Sequence, residues 1–161
     1  MTTKRVRATR DEQYKDFLRS LDLITVGLKS CSASIDRASY FAPRGRKGKR
    51  KAVNRFEADY KLNLTTDQYF EAQGEFKLTV SDLAKSPAAL HIDFALEVHV
   101  HAKPPIQKEF AQRFTEAGLG TVLMPYARSF VTEITARMYI PPIVVPLDIG
   151  AQVSQSRKKE V

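Results

Sequence analysis

The chain has 161 residues, 43% of them hydrophobic and 27% charged, with a single cysteine and a net charge of +8. That length suits one domain with one core, and no apolar run approaches the ~20 residues that span a bilayer. Cys31 alone excludes an internal disulfide and fits a reducing compartment, so the expected location is cytoplasmic.

The basic start MTTKRVRATR has no apolar segment behind it and does not read as a secretory signal. Positive charge is concentrated: four Lys and Arg fall in residues 1–10, six in residues 43–51 and three in residues 157–159. The rest of the chain is mildly acidic. This pattern argues against a broad phosphate-binding surface on the folded body.

Thr9 is a candidate N-cap, with acids following it and Tyr14, Phe17, Leu18 and Leu21 on one face, so residues 10–20 read as a short helix. Alternation then takes over. Ile24, Val26 and Leu28 share one parity while Cys31, Ala33 and Ile35 share the other. A parity change within one strand is what a bulge produces, so one long bent strand is expected. Three more strands show clean period-two patterning, at residues 56–64, 69–80 and 90–102. Their even positions are apolar, which predicts antiparallel strands with one covered and one wet face.

After Pro104 and Pro105, Ile106, Phe110 and Phe114 mark a helix. A break at EAGLG precedes a longer helix. Its stripe runs Leu119, Val122, Leu123, Tyr126, Ala127, Phe130, Ile134 and Met138, with Pro125 expected in a first turn or at a kink. PPIVVP, residues 141–146, stops that helix and continues as an extended apolar run. The expected fold class is α+β: a four-stranded antiparallel meander with helices packed on one face.

No residue set points to catalysis, so the chain reads as a non-enzyme without cofactor. His91, His99 and His101 share the wet face of the last strand. Only the last two are close enough to share a metal, and a row of histidines alternating with valines reads as a solvent-facing row, so no metal is expected. Cys31 has no nearby base to activate it. Gly118 and Gly120 lack the third glycine of a dinucleotide fingerprint, and GRKGKR lacks phosphate-loop spacing. RGRKGKRK, residues 44–51, carries no interleaved aromatics and reads as a solvated loop, not a nucleic-acid contact.

The C-terminal third resembles the SecB family of export chaperones. The resemblance is carried by Leu123, Pro125, Tyr126, Ala127 and Arg128 opening the long helix, by Arg137 near its end, and by Pro141, Pro142 and the segment 144–147 after it. Tyr40, Phe41, Ala42 and Pro43 match the family's aromatic-glutamate-alanine-proline element. The resemblance spans about residues 22–148 and is strongest over 122–147. It implies residues 1–21 as a basic tail and short helix, 22–148 as the chaperone domain, and 149–161 as a polar tail.

By the same resemblance the protein is an ATP-independent holdase for unfolded polypeptides, assembled as a homotetramer, a dimer of dimers. Tyr126, Phe130, Ile134 and Met138 would then lie near subunit interfaces. Client contact is expected at Tyr40, Phe41, Phe70, Phe76, Met124, Ile143 and Val145, since exposed apolar grooves bind other apolar chains. The role is protein export or, because a leading helix is similar to SecB-like chaperones of toxin–antitoxin systems, protection of an antitoxin. Set on the family pattern, Arg37 stands at an aspartate position and Phe41 at a glutamate position, which predicts weak or no docking to the SecA motor. A basic nucleic-acid-binding α+β module is the alternative from another class.

Overall fold

The computed structural model describes residues 9–41, 53–81, 88–143 and 145. The expectations placed on Ala42, Pro43, the basic run 44–51, Val144, residues 146–147 and the two tails lie outside those residues. Helix α1 (Arg10–Arg19) leads into strand β1 (Leu21–Ile35) and the short helix α2 (Arg37–Tyr40). Strands β2 (Val53–Thr65), β3 (Tyr69–Ser81) and β4 (Leu90–Ala102) follow, then helices α3 (Lys108–Ala117) and α4 (Leu119–Arg137).

Thr9 caps α1 as its side chain suggests. Its hydroxyl accepts from the Glu12 amide at 3.3 Å, and the Glu12 carboxylate accepts from the Thr9 amide at 2.7 Å, a complete capping box. The helix is anchored by Phe17, whose ring centroid lies 5.7 Å from that of Phe110 and 6.2 Å from that of Phe70. Outside this contact Arg113 sits 4.2 Å over the Tyr14 ring and pairs with Asp11 at 2.9 Å.

The strands form one antiparallel sheet in the order β1-β4-β3-β2. β2, β3 and β4 make the expected meander, but β1 lies beyond β4 instead of beside β2. The connection at residues 66–68 is short and only eight residues separate β3 from β4, which favours pairing of sequential neighbours, whereas the 17 residues 36–52 between β1 and β2 are long enough in sequence to let β1 pair elsewhere. The predicted bulge is present: the β1–β4 register slips between Leu28 and Ser30. Ile24, Val26 and Leu28 oppose Val100, Val98 and Leu96, and past the slip Cys31, Ala33 and Ile35 oppose Phe94, Ile92 and Leu90. One extra residue keeps both apolar sets, Ile24, Val26 and Leu28 before the slip and Cys31, Ala33 and Ile35 after it, on the inner face.

That inner face is the core. Phe70, Ala72, Phe76, Leu78 and Val80 of β3 and the even-numbered residues of β4 are buried against the helices. α3 packs over β2 and α4 over β3. α4 begins at Leu119, earlier than the proline suggested, so Pro125 lies within the helix. Its buried line is Leu119, Leu123, Met124, Ala127, Val131 and Thr135. Thr135 satisfies its hydroxyl by donating to the Val131 carbonyl at 2.8 Å.

Candidate functional site

Helices α3 and α4 stop short of β1. On its inner face Leu28 is 53% exposed and Ile24 is 38% exposed, and Cys31 and Ala33 are exposed as well. On α4 Tyr126 is 52% exposed, while Phe130, Ile134 and Met138 are half-buried against the core. The Phe130 ring packs at a tilt against Phe94 of β4, with centroids 4.6 Å apart. An apolar row on an edge strand and an aromatic-bearing helix flank therefore both reach solvent.

A second apolar group lies where α2 meets the end of α4. Asp36 caps α2 by accepting from the Ala38 and Ser39 amides and from the Ser39 hydroxyl, and these bonds, led by that hydroxyl, hold its carboxyl below the ordinary range. The turn so formed carries Tyr40, half-buried, and Phe41, 53% exposed, as an edge-on ring pair 5.1 Å apart. Arg37 donates to the Met138 carbonyl at 3.1 Å and so ties α2 to the terminus of α4. The next residue, Tyr139, has φ of 56° and is 84% exposed. Beyond it Ile140, Ile143 and Val145 turn back into the core.

The residues expected to contact clients thus separate into two sets. Tyr40 and Phe41 reach the surface. Phe70, Phe76, Met124, Ile143 and Val145 are buried within the protomer, because the even positions that alternation marks as apolar lie under α3, α4 and the C-terminal extended segment. In the α4 motif Leu123 and Ala127 are fully buried, Pro125 and Tyr126 are exposed and Arg128 is half-buried. Sequence reasoning missed Ile24, Leu28 and Tyr139. The first two were visible as apolar residues of one parity, but alternation does not say which strands the helices leave bare. Nothing in the sequence marked Tyr139.

The opposite face of the sheet forms a concavity of about 710 Å³ lined by Ser30, Ser32, Glu57, Asp59, Glu75, Lys77 and Asp93, among others. Its carboxylates are largely compensated. Lys61 reaches Glu75 at 2.8 Å and Asp59 at 4.0 Å, Arg55 reaches Glu57 at 3.4 Å, and His91 reaches Asp93 at 2.6 Å. Lys29, the bulge residue, bonds Gln73 at 2.7 Å and pairs with Glu97 at 3.5 Å. Among the described residues no group of three or more His, Cys, Asp or Glu could hold a metal ion. His99 lies between Glu71 and Glu97 at 3.4 and 3.7 Å, and His101 lies against the Tyr69 ring. Burial raises the Cys31 thiol above its ordinary value, which disfavours the thiolate.

A two-layer α+β domain with aromatic and aliphatic side chains on an open strand and at a helix terminus is the class defined here. In particular, the chain has a SecB-like fold. It superposes on the Mycobacterium tuberculosis SecB-like chaperone solved in complex with a ChAD peptide from the HigA1 antitoxin, with a TM-score of 0.66 over 85% of this chain and 98% of that one, at 16% identity. A Streptococcus agalactiae protein of unknown function aligns over 79% of this chain and 98% of its own, with a TM-score of 0.44 and 10% identity. No protein-family model and no curated protein matches the sequence. No helix among the described residues is long and apolar enough to cross a membrane.

Proposed function

We propose that this protein is an ATP-independent chaperone, a holdase, that binds non-native polypeptides and keeps them from aggregating. The observation that carries this reading is the uncovered inner row of β1, Ile24 and Leu28, on a SecB-like fold. Apolar side chains on an open edge strand offer both pockets and backbone groups to an extended segment, which needs no particular sequence in return. In this reading the protein is not an enzyme, uses no cofactor and works in the cytoplasm. It assembles as a homotetramer, and the α4 flank of Tyr126, Phe130, Ile134 and Met138 supports self-association. Tyr40 and Phe41 are the client contacts in reach as the protomer stands. Phe70, Phe76, Met124, Ile143 and Val145 serve clients only where the helical and C-terminal cover opens.

The test is binding of a reduced, alkylated and permanently unfolded protein, followed by fluorescence anisotropy without nucleotide. Micromolar or tighter binding, unchanged by ATP and absent for the native form of the same protein, is the expected result.

A second reading assigns an antitoxin as the dedicated client. It is supported by α1, which precedes the sheet, and by the antitoxin peptide held by the mycobacterial chaperone of similar fold. Export is the third role. Calorimetry against the basic C-terminal segment of the SecA motor separates it, and the compensated wet face and Arg37 favour little or no binding there.

A further inference from the structure

Helix α1 is seated on the body differently from the other long helices. Of its ten residues only Phe17 is buried, whereas α3, of the same length, buries Phe110, Ala111, Phe114 and Thr115. Phe17 enters a pocket of rings: its centroid lies 5.7 Å from Phe110 and 6.2 Å from Phe70, and Phe114 stands edge-on to Phe70 at 5.7 Å. Tyr14, one turn earlier on the same face, lies 5.9 Å from Phe110. Around these rings the ties are exposed ion pairs, Arg10 with Glu109 and Asp11 with Arg113, which water and salt weaken.

A ten-residue helix is marginal by itself in water, so α1 keeps its shape through this docking. Elements held by few buried contacts open at lower free energy than the core beneath them. An empty pocket would turn Phe70 and Phe110 toward water, so α1 leaves readily only when another ring takes the place of Phe17. The tether raises the demand on any competitor. Ser20 joins α1 directly to β1, and its carbonyl accepts from the Lys103 amide at 3.2 Å, so a displaced α1 stays near and competes at high local concentration. A competing chain has further contact at hand, because Ile24 of the open β1 row lies only about 13 Å of strand beyond Ser20.

We infer that the pocket of Phe70, Phe110 and Phe114 is a second client site, for a helical segment with two aromatic side chains three residues apart, and that α1 is its built-in occupant, exchanged for the client. This deepens the chaperone reading and rests on it. The occupant shows what fits: Tyr14 and Phe17 share one face of a helix, and both rings meet Phe110. Rings two residues apart point to opposite sides of a helix and cannot both enter. Exchange keeps the pocket filled, so residues buried in the free protomer serve binding without unfolding of the sheet.

Two labelled 14-residue peptides test this, equal in composition, Ala-rich and helical, one with Tyr and Phe three residues apart and one with them two apart. Anisotropy reads binding, and amide exchange over residues 13–20 reads the state of α1. The peptide with rings three apart should bind at least tenfold tighter. At saturation it should strip the exchange protection of α1 and leave that of β3 and β4 unchanged. A full chain carrying Arg10→Cys, Glu109→Cys and Cys31→Ser, joined between α1 and α3 by a cleavable bis-maleimide, should bind that peptide at least tenfold more weakly and recover when the linker is cut. Equal binding of the two peptides, undiminished protection of α1 at saturation, or full affinity in the cross-linked chain overturns the inference. Cross-links that join two chains instead of one would put a second copy's α1 in the pocket and overturn it too. A permanently unfolded protein separates this from the broader reading. Its binding to the cross-linked chain through β1 leaves the holdase standing whatever the peptides do, whereas its failure to bind the unlinked chain removes both.

Discussion

A Cβ built on Gly74 would stand 2.6 Å from Leu123 Cδ1, so the middle of β3 and the first half of α4 meet closely and a larger residue there must displace a packed side chain. Leu123 is fully buried, and the aromatic ring of Phe76 closes the same space at 2.9 Å. Gly74→Ala should therefore cost about 1–3 kcal/mol through overpacking, and Gly74→Val more. Urea unfolding followed by circular dichroism measures it. An unchanged midpoint would mean that α4 does not seat on the sheet at this point.

Phe17 joins α1 to the rest of the molecule through Phe110 and Phe70. Phe17→Ala should destabilise by about 3–5 kcal/mol if α1 folds cooperatively with the sheet. Loss of helical signal without a drop in the main melting temperature would instead make α1 an appendage.

Tyr126 contributes little to its own protomer, being 52% exposed, whereas Ala127 beside it is fully buried. Tyr126→Asp should leave the protomer folded and weaken self-association, because a carboxylate buried at an interface without a partner costs several kcal/mol. Native mass spectrometry at micromolar concentration reads the change as a shift to lower oligomers. A distribution identical to that of the unchanged protein would exclude this flank of α4 from the interface.

Asp36 gives a pH dependence with a definite sign. Its carboxyl is held low, chiefly by the Ser39 hydroxyl and amide, so its support of α2 is full above the ordinary aspartate value of about 3.9 and is lost as pH falls through the lowered value. Amide exchange at Ala38 and Ser39 should accelerate on the acid side of that window. In Asp36→Asn the same amides should show no such acid step.

Much of this architecture was legible in particular residues. The parity switch between Leu28 and Cys31 announced the bulge, and Thr9 followed by acids announced the cap. Both are local rules, and both were met. The partner of β1 was not legible, since residues 36–52 permit either neighbour and only the packed sheet selects β4. Helix α4 presented one broad apolar stripe in sequence. The structure resolves it into a buried line through Leu123, Ala127 and Val131 and a flanking line through Tyr126 and Phe130, a division set by where β3 lies. Burial of Phe70 and Phe76 and exposure of Ile24, Leu28 and Tyr139 depend on how far the helices extend across the sheet, and alternation carries no information about that.

The central claim is that apolar surface left open on β1 holds aggregating chains. Light scattering of a slowly refolding, aggregation-prone protein, with and without this one and without nucleotide, tests it most directly when Leu28→Asp is run alongside. The account predicts that the unchanged protein suppresses scattering at equimolar or lower ratio, and that Leu28→Asp, folded by circular dichroism, loses most of that effect. Scattering that is unaffected by the unchanged protein would contradict it.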